Sequence, residues 1–284
     1  MLLTRRLVRE DEEQLKRFLE ANLDTSMILR SNLELTGVQG QGRYSGDYFG
    51  SFEQQQLAAV AAHYWNGNLV VQGSSGLDAA VRMAAAEGGR PIRGVLGPAA
   101  SLKRTLETLN LTHRPTAINS LEWLFTLDMK ALHVPKPLAD GLWQWRRATP
   151  GDRASFLAEW RGDYNVEALH IQDTQEMRRE VRDSITQATA MDLWVLEVEG
   201  QPVSMTGFNA EAVGVVQVGG VWTPPPFRGR GYGRAVVAGS LLDRRAEGAT
   251  RSVLFTDHDN LPALRAYEAL GYRRAGEYGL WLFA

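Results

Sequence analysis

The stretch Val221-Trp222-Thr223-Pro224-Pro225-Pro226-Phe227-Arg228-Gly229-Arg230-Gly231-Tyr232-Gly233-Arg234 joins a strand-like run to a helical one. The prolines end the strand, because proline fixes φ and donates no ladder hydrogen bond. The glycines let the main chain turn sharply and lie close to a ligand. From Gly233 to Ala246 the spacing predicts a helix, with Val236, Val237, Ser240 and Leu241 on one face. The first N–H groups of such a helix have no intrahelical acceptor, and with the helix dipole they form an anion site. A diphosphate fits that site, and Arg228 and Arg230 add fixed charge. The same string also suits a plain connection whose arginines are solvated.

Upstream, Leu193–Glu199, Pro202–Asn209 and Val213–Trp222 read as an antiparallel meander with a turn at Gly200-Gln201. A meander is not a βαβ unit, so the dinucleotide-binding context is missing, and the loop has no Walker Lys-Ser/Thr. Further back, Trp143–Arg147 reads as a short strand. Thr149-Pro150-Gly151-Asp152 caps an irregular helical region that runs to about Gln187. Downstream, Arg251–Thr256 is strand-like, Pro262–Leu270 is helical and stopped by Gly271, and Tyr272–Phe283 is β-prone.

The first half repeats this order faintly. Leu7-Val8-Arg9 precedes the acidic Glu10–Glu13 and a helix to about Ala21. Leu57–Trp65 and Leu69–Gln72 form a hairpin around Asn66-Gly67-Asn68. Leu69-Val70-Val71-Gln72 matches Gly214-Val215-Val216-Gln217, and Ala86-Glu87-Gly88 matches Ala246-Glu247-Gly248. Arg104–Leu109 lines up with Arg265–Leu270. Between the halves, Met129 to Gly141 holds Pro135-Lys136-Pro137 and reads as extended and non-helical. The partition is residues 1–130, a linker at 131–141, and residues 142–284.

Composition narrows the chemistry. The 284 residues carry 31 Lys+Arg against 33 Asp+Glu, so no basic excess points to nucleic acid or an anionic membrane. Cys is 0, which excludes thiol nucleophiles, disulfides and cysteine–metal sites. The 5 His make no H-x-x-x-H pair, so no metal site is expected. No apolar run reaches the roughly 18 residues of a membrane span, and the charged start Thr4-Arg5-Arg6 lacks a signal-peptide core. A cytoplasmic protein is expected.

The segment Val221–Gly233 resembles motif A of the GNAT superfamily, the acetyl-CoA-dependent N-acetyltransferases. Asp259-Asn260-Leu261-Pro262-Ala263, followed by Arg265-Ala266-Tyr267-Glu268-Ala269-Leu270-Gly271-Tyr272, resembles that family's second signature. The two stand in order and at the right spacing, and the likeness spans about residues 142–284. It implies an α/β (α+β) fold of two GNAT-like domains, each a mixed, mostly antiparallel sheet flanked by helices. The first domain would be a degenerate copy. Where the second has Arg228–Arg234 the first has Gly73-Ser74-Ser75-Gly76, and where the second has Tyr267 it has Leu106.

The resemblance also implies roles. Arg228, Gly229, Arg230, Gly231, Tyr232, Gly233 and Arg234 would bind the diphosphate of acetyl-CoA. Val221, Trp222 and Thr223 would pair with its pantetheine arm and polarise the thioester carbonyl. Asn260 would bond that arm or cap its helix, and Tyr267, two turns on, would protonate the leaving thiolate. The acceptor would be a primary amine, of a small molecule or of an amino acid or peptide. An alkyl ammonium must first lose a proton. Family members often place a Glu on the fourth strand for this, and here that strand carries Gln217. Glu167 is then the leading candidate base, with Asp163, His170 and Glu211 behind it, and Trp160, Tyr164, Trp194 and Trp222 could line the acceptor site. A catalytically silent CoA-binding sensor or interaction module is the alternative.

Overall fold

The computed structural model describes residues 2–187 and 193–284. Its contacts divide it into two compact units. The first is Met1–Leu124 with Phe255–Asp259 and Arg274–Ala284; the second is Phe125–Leu254 with Asn260–Arg273.

In the first unit, β1 (Leu2–Arg6) leads through a 3-10 turn at Arg9–Asp11 into α1 (Glu12–Ala21) and α2 (Met27–Thr36). Then come β2 (Gly46–Glu53), β3 (Gln56–Tyr64), β4 (Asn68–Gly73), α3 (Leu77–Glu87), β5 (Gly94–Pro98) and α4 (Ala99–Thr108). Strands β1 to β4 pair antiparallel in sequence order, and β4 pairs parallel with β5. The β3–β4 hairpin turns where Asn66-Gly67-Asn68 predicts, with Gly67 at φ +83° and its N–H donating to the Tyr64 carbonyl at 2.8 Å. Helix α3 lays Leu77, Ala80, Val81 and Ala84 on Phe49, Ala59, Ala61, Leu69 and Val71. Each of the large aliphatic side chains among these contributes about 1.5–3 kcal/mol on burial.

A long strand, β6 (Thr116–Asp128), starts in the first unit and ends in the second. After it come α5 (Lys136–Ala139), β7 (Trp143–Arg147) and α6 (Pro150–Asp152). A π-helical stretch at Arg153–Leu157 runs on into α7 (Ala158–Ala168), and α8 (Gln175–Gln187) follows. The meander is β8 (Leu193–Val198), β9 (Gln201–Ala212) and β10 (Val215–Trp222). The chain closes with α9 (Tyr232–Ala246), β11 (Arg251–Asp257), α10 (Leu261–Ala269) and β12 (Arg273–Phe283). Strands β7 to β10 are antiparallel neighbours, and β10 pairs parallel with β11. Both units are therefore mixed, mostly antiparallel sheets flanked by helices.

Two features differ from the sequence reading. The segment Met129–Gly141, expected to be extended, holds a 3-10 turn at Met129–Ala131 and the short α5. Proline is excluded from a helix interior because it lacks an N–H, but the first turn needs none there, and Pro137 occupies that first turn. The closing strand β12 pairs antiparallel with β5, from Tyr278↔Pro98 to Leu282↔Gly94, so this part of the second half completes the sheet of the first unit.

Packing in the second unit places α9 on the meander. Gly239 leaves no room for a Cβ against Trp145. One carboxylate on this helix, Asp243, accepts from the indole N–H of Trp145 at 2.9 Å and of Trp194 at 2.6 Å. The opposite face of the sheet is covered by α7 and α8, where Leu157, Val181, Ile185, Leu193, Val195, Met205 and Trp222 form one core. Among the described residues no helix is long and apolar enough to cross a membrane.

Candidate functional site

The site is built where β10 gives way to α9. The ladder of β10 on β11 runs Val215↔Arg251, Val216↔Ser252 and Gln217↔Val253, then stops. Beyond Gln217, β10 keeps β9 on one side, with register shifts at Gln217/Val218 and between Gly219 and Trp222. Gly220 lies in this irregular stretch at φ +61°. Bulges of this kind re-aim a strand and free its main-chain groups. Val218–Trp222 thus present an edge with no β11 partner among the described residues.

After Trp222 the chain forms a 3-10 turn at Pro225–Phe227 and passes two left-handed glycines, Gly229 at φ +76° and Gly231 at φ +84°. Gly231 is the N-cap of α9. The N–H groups of Gly229, Arg230, Gly231, Tyr232, Gly233 and Arg234 have no backbone acceptor among the described residues, and the first return bond is Ala235 N–H to the Gly231 carbonyl at 3.0 Å. A Cβ on Gly229 would meet nothing within 4 Å, so the loop is open on its outer side. Gly233 instead lies over the strand end. A Cβ there would stand 3.3 Å from the Thr223 hydroxyl, which Ser204 Oγ engages at 2.9 Å.

The cationic side chains divide. Arg228 is occupied: its guanidinium lies 4.7 Å from the Trp222 ring centre and donates Nε–H to the Thr223 carbonyl at 2.9 Å. It also forms an ion pair with Glu167 on α7 at 2.8 Å. Arg230 and Arg234 have no ion pair among the described residues, and the Arg234 Nε is buried without a partner. Tyr232 is buried edge-on against Trp143, with ring centres 5.0 Å apart, which anchors the first turn of α9. The Trp222 indole is buried, and its Nε1 has no hydrogen-bond partner.

Asn260 is a helix cap: its Oδ1 accepts the Ala263 N–H at 3.2 Å at the start of α10. Tyr267, on the same helix, is 8% exposed, beside Phe125 and Tyr272. The Tyr272 phenol is bonded to Ser252 at 2.6 Å, and burial raises its pKa. Helix α10 lies against α9.

Glu167, the candidate base, is drawn towards the loop by Arg228. Asp163 is bonded by Arg178 of α8 at 2.7 Å, and Glu211 pairs with Arg244 at 2.6 Å. His170 is exposed at φ +54°, just past α7. Trp160 packs on Phe156 in the core under α7, and Trp194 is fully buried on the α9 side. Tyr164 lies under the Arg161 guanidinium.

Two groups of chemical interest escaped the sequence reading. One is Arg161 with Asn165, one helical turn apart on α7, a spacing that carries no motif. The other belongs to the first unit. There the Glu122 carboxyl, bonded by Ser120 Oγ at 3.1 Å, is raised by burial, with Asp257 raising it further and His258 opposing. Its strand neighbour Trp123 packs at a tilt on His258, with ring centres 4.5 Å apart. Single polar or charged residues within a helix or strand leave no periodic signal of their own.

Residues 153–272 match the model of the acetyltransferase (GNAT) family. A mycothiol acetyltransferase of Corynebacterium aurimucosum is 38% identical over 55 residues, 19% of this chain and 18% of that protein. The match thus spans less than a fifth of that relative. Among solved structures, a Drosophila protein superposes with a TM-score of 0.67 at 11% identity, over 98% of both chains. A tandem GNAT protein from the clavulanic acid biosynthesis pathway gives 0.54 at 12% identity, over 99% of this chain and 98% of that one. At these identities the structural likeness is one of fold.

Proposed function

We propose that this chain, whose residues 153–272 form a domain of the GNAT acetyltransferase family, transfers the acetyl group of acetyl-CoA to a primary amine at the β10–α9 site. The observation that carries this reading is the row of unacceptored N–H groups from Gly229 to Arg234, at a helix start beside two arginines without ion pairs. These residues fit a diphosphate: the donors point outward, the glycines leave the approach clear, and the helix dipole favours the charge.

The roles follow from that placement. Gly229–Arg234 hold the diphosphate, and the edge of Val221, Trp222 and Thr223 pairs with the pantetheine amides as an added strand would. A main-chain N–H on that edge polarises the thioester carbonyl. Asn260 fixes the start of α10, and Tyr267 on that helix donates its phenolic proton to the departing thiolate. Acetyl-CoA supplies the activated acyl group; the amine nitrogen forms the new C–N bond as the C–S bond breaks. Glu167 takes the amine proton once the diphosphate competes for Arg228, since its oxygens are otherwise engaged by that guanidinium.

A direct test is thiol release from acetyl-CoA over a panel of amines. The chain has Cys 0, so a thiol reagent reads only liberated CoA. Calorimetric CoA binding with no release from any amine would favour the second reading, a silent CoA-binding module. Gln217 in place of a strand carboxylate is the feature on its side.

A further inference from the structure

We infer that the acceptor is an amino acid, an amine with a carboxylate beside it, that Arg161 binds that carboxylate and that Asn165 accepts from the amine end; this rests on the acetyltransferase reading above. Three half-buried guanidinium groups in the second unit are neutralised. Arg146 is held by Asp152 and Glu197, Arg178 by Asp163 and Asp173, and Arg244 by Glu211 and Glu247. Arg161 is different. It is partly buried, lies 4.9 Å from the Tyr164 ring centre, and has no ion pair among the described residues.

Its position is specific. A Cβ on Gly220 would overlap the Arg161 guanidinium, so this cation lies against the irregular part of β10. That is the edge to which the thioester is assigned. Asn165 stands four residues on, over the same helix face, and its side-chain oxygen is buried without a hydrogen-bond partner. The two line a crevice of about 290 Å³ between α7 and α8, with Glu180, Val181, Ser184 and Ile185. The size suits a small metabolite.

The chemistry selects the ligand class. A partly desolvated guanidinium without a counter-ion is costly, and an incoming carboxylate relieves that cost. The planar fork matches a carboxylate with two parallel hydrogen bonds. The unpaired Asn165 oxygen accepts from the ammonium of a zwitterion, and Glu180 on the facing helix favours the same cationic end. Val181 and Ile185 offer an apolar floor for a side chain. A polyamine or other purely cationic amine would be repelled by Arg161 at the point of reaction.

The experiment compares kcat/KM for amino acids, their carboxamides and the corresponding decarboxylated amines, read by thiol release from acetyl-CoA. Wild-type protein is expected to favour the carboxylate over the carboxamide at least tenfold. In Arg161→Gln that ratio is expected to fall to near one, and Arg161→Lys to recover part of it. Equal or better use of the carboxamide or the simple amine by the wild type overturns the inference, whether or not the variants fold. Retention of the ratio in Arg161→Gln overturns it as well. If CoA binds by calorimetry and no amino acid is turned over, this substrate class is wrong while the cofactor site stands. If CoA itself fails to bind, the acetyltransferase reading falls first.

Discussion

The two strand-to-helix connections, Gly73–Gly76 in the first unit and Thr223–Gly231 in the second, end on the same backbone conformation. Gly76 has φ +77° and ψ 7°, and Gly231 has φ +84° and ψ 8°, each as the N-cap of its helix. What differs is the space in front. In the first unit, Ser51 Oγ donates to the Gly76 carbonyl at 2.7 Å, and a Cβ on Gly76 would stand 2.6 Å from the Ser51 Cβ. The neighbouring strand is closed too: Gly97 abuts the Val71 carbonyl, and Ser101 Oγ donates to the Gly73 carbonyl at 2.9 Å. The two helix starts share a conformation, but in the first unit protein atoms stand against the connection that precedes the helix. A helix N-terminus is thus a necessary part of an anion site and not a sufficient one.

The largest effect is expected from exchanging the two connections. Replacing Thr223–Gly231 by Gly-Ser-Ser-Gly is expected to weaken CoA binding at least a hundredfold by calorimetry, with the circular dichroism of the fold retained. Near-native affinity in that variant would show that the open loop does not hold the cofactor. Next in size, Tyr267→Phe is expected to lower kcat at least tenfold with the Kd for CoA within about threefold, as fits loss of a proton donor. Its counterpart in the first unit, Leu106→Tyr, should leave kcat unaltered.

A third contrast concerns matched ion pairs that open each unit. Arg5 forks onto Asp11 at 2.6 Å, and Arg146 onto Asp152 at 2.6 Å. In each case the same carboxylate also accepts a main-chain N–H three residues back, from Val8 at 2.9 Å and Thr149 at 2.7 Å. These bonds lower the carboxyl pKa of Asp11, and that of Asp152 to about 2, with the arginine partner the larger cause. A depressed pKa means stability is present above the usual carboxylate value and is lost as pH falls through the folded one. Asp152→Asn is expected to cost about 1 kcal/mol at pH 7, solvent screening of Arg146 included. In acid unfolding its deficit should vanish as pH falls from about 4 towards 2. Smallest, Glu167→Gln is expected to tighten CoA binding about threefold by releasing Arg228, and to have no such effect in an Arg228→Ala background. Weaker binding in the single variant would mean that Glu167 positions Arg228 for the cofactor.

Much of the second unit was legible because its signals are local. The β8–β9 turn falls at Glu199-Gly200, one residue before the expected Gly200-Gln201, Gly271 lies at φ +98° just past α10, and Asn260 caps that helix, all readable from neighbouring residues. The hairpin at Gly67 was legible for the same reason. Strand partners were not. Alternation along Arg273–Phe283 tells which side chains share a face, and it is silent on whether the strand joins the second unit or pairs with β5. Strand β2 carries Gly46 and Gly50, which weaken any strand pattern, and a Cβ on Gly50 would press on the ends of the Leu57 and Leu7 side chains at 2.6 and 2.8 Å. At the site, the Arg228–Glu167 pair joins residues far apart in sequence, and neither residue alone announces the other.

The pairing of β12 with β5 carries a consequence for biosynthesis. A ribosome delivers β1 to β5 before the second unit, yet the strand that pairs with β5 is made after every other strand among the described residues. Until then the nascent chain displays an unpaired edge, a hazard for premature association. The sheet translated first is therefore completed only after the strands of the second unit have been made.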